Sequence, residues 1–243
     1  MKNRILGLIT TSLLGTCLAC AEEAKTNENN DRVIFFNVPL RCEAVPEIGC
    51  GSRAKPVLLE LQRQPDVSEA WLNGTGTIIA VVRTDGVSGE SLVGAIKSTL
   101  KNTGADGAEL TGGEREAALR SFASRTDWYR GADVDKLSKR EAAVIAARLV
   151  RRVQTNISLP EERARTLVAD LTQVIEDRFI SDAKTPKQEF EESVLNLVRK
   201  NLDEKGVAAF REAAAKGVRP LPEDKEGATN KVPACCSINL GKT

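Results

Sequence analysis

The chain has 243 residues, 41% of them hydrophobic, enough to bury the core of one or two domains. Thirty-five basic residues stand against 34 acidic ones, a net charge of +1, which supplies no field for holding a phosphate backbone and argues against nucleic acid as a partner. Histidine is absent and the single methionine is Met1, so the usual proton shuttle and the commonest metal ligand are missing. A transition-metal site must then be built from thiolates, with carboxylates at most, and thiolates favour soft or borderline ions such as Cu(I), Hg(II), Cd(II) or Zn(II).

Residues 1–21 read as a signal peptide: Lys2 and Arg4 supply the positive end, "ILGLITTSLLG" is short for a bilayer span, and small residues follow. Ala19-Cys20-Ala21 fits a small-x-small cleavage site. Leu18-Ala19-Cys20 instead resembles the tail of a bacterial lipobox, with Cys20 as the lipidation site and the protein anchored to a membrane, although Cys17 stands where leucine is usual. Either route predicts export to the cell envelope or periplasm. The polar residues 22–32 are expected as a tether, being too poor in apolar residues to fold. Export leaves Cys42, Cys50, Cys235 and Cys236 in an oxidising compartment, where cysteines tend to pair.

From Asp31 onward the pattern becomes globular. "RVIFFNVPL" is a β-branched and aromatic run of strand length. Ala54 to Gln64 reads as a helix with Val57, Leu58 and Leu61 on one side and Pro56 tolerated in the first turn. "VSEAWLN" and "TIIAVVR" are two strands joined by Gly74-Thr75-Gly76, and Ser88 to Thr103 is a second helix carrying Leu92, Ile96 and Leu100, followed by Gly104. "DGAEL" supplies a last edge strand. The order β-α-β-β-α-β is the split βαβ, or ferredoxin-like, arrangement of an α+β protein.

Over residues 33–110 the chain resembles the heavy-metal-associated domain family. That family carries Cys-x-x-Cys at the end of its first strand, and Cys50-Gly51-Ser52-Arg53 occupies that place, followed by Ala54, Val57 and Leu61 at the family's apolar spacing. Pro65-Asp66-Val67 looks like its turn, Ala70-Trp71-Leu72-Asn73 like its second strand, and Leu92, Ala95, Ile96 and Gly104 like its second helix. The resemblance implies soft-metal binding with Cys50 as the first ligand. Arg53 stands where the second cysteine belongs, and a guanidinium cannot ligate a metal.

Cys42, eight residues upstream, is the nearest replacement thiol. Gly49 and Gly51 let the backbone curl, so Cys42 and Cys50 are candidates for a ligand pair, a disulfide, or two separate thiols. Arg53 opposes the helix dipole at its own helix start; it either balances a thiolate at Cys50 or is a solvated arginine pairing with Glu47 or a nearby carboxylate.

The second half is helical. Thr111-x-x-Glu114, Ser138-x-x-Glu141, Ser158-x-x-Glu161 and Thr185-x-x-Gln188 have capping-box spacing and introduce apolar stripes, of which Ala164, Leu167, Leu171, Val174, Ile175 and Phe179 is the clearest. Residues 111–218 are therefore expected as an antiparallel helical bundle. Glu161, Glu162, Asp170, Glu176 and Asp177 alternate with arginines as a solvated face, and Arg148, Arg151 and Arg152 read as surface. Trp128-Tyr129 falls in a connector, as a partner contact or as packing beneath it. Residues 219–243 are expected as a flexible tail ending near Cys235-Cys236, whose vicinal thiols either capture a soft ion or pair with Cys42 and Cys50.

No catalytic constellation emerges. Two function classes remain: an envelope protein binding a soft or borderline ion through Cys42, Cys50, Cys235 and Cys236, and a non-catalytic envelope adaptor that meets a protein partner through its helices. A thiol-disulfide enzyme is a weaker third reading, because the Cys-x-x-Cys is missing.

Overall fold

The computed structural model describes residues 31–181 and 186–224. Residues 1–21, expected as a signal peptide, with Cys20, and likewise the vicinal Cys235-Cys236 and Thr185, lie outside the described residues.

Among the described residues, β1 (Val33–Asn37), β2 (Val67–Asn73), β3 (Ile78–Arg83), β4 (Ala108–Glu109) and β5 (Trp128–Arg130) form one antiparallel sheet in the order β4-β1-β3-β2-β5. Seven α-helices accompany it: α1 (Gly51–Gln62), α2 (Gly89–Asn102), α3 (Gly112–Ala123), α4 (Asp135–Asn156), α5 (Glu161–Ile180), α6 (Lys187–Asn201) and α7 (Glu204–Ala215). The molecule is a mixed α/β protein.

Both faces of the sheet are covered, which is why β1 and β3 are almost wholly apolar. The register Ile34↔Val81 and Phe36↔Ile79 turns those four side chains into the main core with α1 and α2, while Val33, Phe35 and Ala80 face the other way. That second face is closed by α3, an outcome at variance with its expected place in a bundle. Phe122 meets Phe35 edge-on at 5.7 Å and Trp128 at 4.9 Å. The connector around Trp128 is itself a strand: β5 pairs with β2 through Trp71↔Arg130 and Asn73↔Trp128, and Trp128 is buried. Three residues are too few for a period-two signal. The chain reaches β5 through a turn in which Arg125 and Asp127 hold positive φ of 55° and 58°, with the Arg125 guanidinium 3.7 Å from the Phe122 ring centroid.

The long helix α4 lies along α5 and α7 and also meets α1, so the sheet and the helices of the second half share one core. It begins at Asp135, not at Ser138, because the 3₁₀ turn Gly131–Val134 runs directly into it and Val134 already has helical dihedrals. Ser138 is consequently a buried interior residue, and its capping box does not form. Thr111 and Pro160, at the starts of α3 and α5, also make no side-chain cap. Among the described residues a side-chain cap does form at Asp203, whose carboxylate accepts from the Gly206 N–H at 2.8 Å.

Candidate thiol site

The site is the loop between β1 and α1. As β1 ends, Val38 and Leu40 donate to Thr77 and Gly76 carbonyls, which carries the chain across the β2–β3 hairpin. Gly76 holds φ +71°, and a Cβ there would lie 2.4 Å from the Leu40 carbonyl oxygen, so the crossing requires glycine. The loop then folds back on itself. Cys42 donates its N–H to Ile48 O at 2.8 Å, Cys50 donates to Leu40 O at 2.7 Å, and Arg41 bridges Gly49 between them.

This short ladder fixes where the sulfurs point. Cys42 and Cys50 each flank the Arg41–Gly49 bridge by one residue, so alternation puts both on the face opposite Arg41, as diagonal neighbours. Diagonal Cα atoms in such a ladder are about 7–8 Å apart. A disulfide spans roughly 4.4–6.8 Å between Cα atoms. No disulfide joins the two; both are buried thiols, each with 1% exposure. Of the three arrangements open to Cys42 and Cys50, the disulfide is not formed in this loop, and a diagonal register disfavours it.

Each sulfur has polar company inside the core. The Val45 N–H donates to Cys42 Sγ at 3.3 Å, and Cys50 Sγ lies 3.4 Å from Ser52 Oγ. Cys50 is the N-cap of α1, where the helix dipole favours a negative ligand, although its side chain makes no cap hydrogen bond. Arg53 is half-buried in the first turn and forms no ion pair among the described residues, so the expected partnership with Glu47 is not made. Among the described residues, no three cysteine or carboxylate side chains converge on a point that could hold an ion, and no helix is long and apolar enough to cross a membrane.

Helix α4 walls the loop from behind. Gly51 packs so closely on it that a Cβ there would lie 2.4 Å from Ser138 Oγ and 2.5 Å from the Val134 carbonyl. Lys55 pairs with Asp135 at 3.0 Å one turn further along α1. Beyond Ser138, the buried Glu141 and Arg148 continue the same stripe of α4. Arg148 donates from Nη1 to Ala44 O in the cysteine loop at 2.6 Å and to Val218 O at 2.6 Å.

Two sequence expectations are corrected here. Arg148 and Arg152 are not surface residues: they are 0% and 4% exposed, and only Arg151 of the three is exposed. Residues 219–224 are not the start of a loose tail, because Arg152 holds Arg219 O at 2.7 Å and the Asp224 carboxylate at 2.5 Å. A signal for both lay in the sequence: Ser138, Glu141, Ile145, Arg148 and Arg152 recur at three- and four-residue spacing, in phase with the apolar stripe of α4.

No protein-family model matches this chain, and no curated protein or solved structure matches it either.

Proposed function

We propose that this is a non-catalytic, exported cell-envelope protein that binds one soft or borderline ion between Cys42 and Cys50, for sequestration or transfer. The observation that carries the reading is the placement of both sulfurs on one face of the Arg41–Gly49 ladder, at the junction of β1 and α1. An ion bridges a wider gap than a disulfide does. With metal–sulfur bonds of about 2.3 Å the two sulfurs stand up to roughly 4.6 Å apart, against about 2.05 Å in a disulfide. The extra reach of about 2.5 Å suits a diagonal pair, since diagonal Cα atoms in a regular ladder lie about 7–8 Å apart. The Val45 N–H on Cys42 Sγ and the α1 N-terminus at Cys50 are the sort of outer contacts that support thiolate ligands.

The strand order β4-β1-β3-β2 supports the finer reading of a ferredoxin-like unit resembling heavy-metal-associated domains, with α2 and α1 on the same side of its sheet. In that unit Arg53 holds the family's second ligand position, and Cys42 takes over its role. Cys235 and Cys236 then serve as exchange partners or as further ligands.

Titration of the reduced full-length chain with Hg(II) or Cu(I) tests this. The expected result is a sulfur-to-metal absorption that reaches its end point at one ion per chain when Cys235 and Cys236 are serine. A second reading, the adaptor with structural thiols and a protein partner on its helices, is favoured by the near-complete burial of both sulfurs. A flat titration supports it.

A further inference from the structure

The last described residues of the chain return to the cysteine loop. After α7, Gly217 (φ +80°) turns the backbone so that three consecutive carbonyls, those of Gly217, Val218 and Arg219, point at α4. Two buried guanidiniums receive them: Arg152 Nη1 reaches Gly217 O at 2.6 Å, Arg152 Nη2 reaches Arg219 O at 2.7 Å, and Arg148 Nη1 reaches Val218 O at 2.6 Å. Asp224 closes the strap. Its carboxylate takes Arg152 and also accepts from the Leu221 N–H at 2.8 Å.

The strap and the cysteine loop are joined twice. Arg148 Nη1 is shared between Val218 O of the strap and Ala44 O of the loop, each at 2.6 Å. The Arg219 guanidinium pairs with Glu43, the residue next to Cys42. The Glu43 carboxylate is held directly by the strap, and Ala44 O shares its donor with the strap's Val218 O, so lifting the strap frees Glu43 and leaves Ala44 O on an Arg148 that has lost its second partner.

We propose that residues 217–224 act as a latch over the cysteine loop, which keeps Cys42 and Cys50 buried while docked and gives access to both thiols when lifted. This rests on the reading of Cys42 and Cys50 as the working pair and adds its regulation. Lifting breaks no covalent bond and moves no electron; it exchanges main-chain hydrogen bonds on Arg148 and Arg152 for water.

The test is thiol labelling of the full-length chain in which Cys17, Cys20, Cys235 and Cys236 are serine, under native conditions, with an aromatic disulfide reagent. In that parent both thiols are expected to react far more slowly than in denaturant. Asp224→Ala and, separately, Arg219→Gln are expected to speed labelling of both by roughly tenfold each, the change in an opening equilibrium that one lost charge-assisted hydrogen bond produces. Arg219→Gln removes the strap–loop ion pair to Glu43 while leaving the Asp224 clasp in place, and decides the matter if Asp224→Ala does not fold, as circular dichroism would show. Labelling unchanged in a folded Arg219→Gln chain, or a parent already labelled at the denatured rate, overturns the latch. The readout involves no metal, so a chain that binds no ion but shows gated labelling refutes the metal reading alone.

Discussion

Replacing Arg148 by methionine separates a buried clasp from a surface cation. Methionine has a similar length and no donor, so the change removes the hydrogen bonds to Ala44 O and Val218 O, both inside the protein. Each buried carbonyl left without a donor costs about 1–3 kcal/mol. Against this stands relief from holding a guanidinium away from water, which is why complete hydrophobic replacement of buried ion networks is often tolerated. Here only one member is replaced and the carbonyls remain, so the expected loss is about 3–5 kcal/mol, the range seen when one partner of a buried charged network is removed. For a chain of this size each kcal/mol moves the melting midpoint by about 2–4 °C, giving a fall of roughly 6–20 °C in calorimetry. Arg151→Met, on the adjacent exposed position, is expected to change stability by no more than about 0.5 kcal/mol. Equal midpoints for the two variants would refute the buried clasp.

Burial opposes ionisation of Asp224, but the Arg152 guanidinium and the Leu221 N–H outweigh it and hold its carboxyl below the ordinary value of 3.8. A depressed folded-state value means the stabilisation is complete above 3.8 and is lost as pH falls through the lower folded value; acid titration followed by thiol labelling should show the strap intact at pH 5 and above. Gly51→Ala forces a methyl against Ser138 Oγ and Val134 O and should cost about 1–3 kcal/mol in denaturant unfolding. Ser138→Ala, which removes a buried hydroxyl lacking a hydrogen-bond partner, should be neutral or stabilising and should restore part of the Gly51→Ala loss, with Val134 O preventing full recovery. Asp203→Ala removes the cap on Gly206 N and should cost about 1 kcal/mol by the same assay.

The strands and helices of residues 33–110 were legible because each carries its own period: "VIFF" and "IIAVV" run apolar on both faces, and α1 and α2 show clear stripes. Helices α5 and α6 were legible for the same reason. What escaped was set by tertiary contact. Strand β5 exists because β2 offers it an edge and Phe122 covers Trp128, neither of which is local in sequence. Helix α3 has only a narrow apolar stripe, Ala118, Leu119 and Phe122, and nothing in that stripe says whether its cover is a helix or a sheet. At the site, the two cysteines and their proximity were visible in the spacing, whereas their burial and shared face depend on the Arg41–Gly49 register. Arginines are usually solvated, so Arg148 and Arg152 looked ordinary until main-chain carbonyls at residues 44 and 217–219 were brought to them.

The most direct test of the thiol site is ion binding by the reduced full-length chain with Cys17, Cys20, Cys235 and Cys236 changed to serine, compared with the same chain also carrying Cys42→Ser or Cys50→Ser. The account predicts one tightly held Hg(II) or Cu(I) per chain, with both thiols protected from alkylation together, and loss of tight binding in either further variant. An ion that stays tightly bound after Cys42 or Cys50 is removed, or a chain that binds none while both thiols alkylate freely in denaturant, would contradict it.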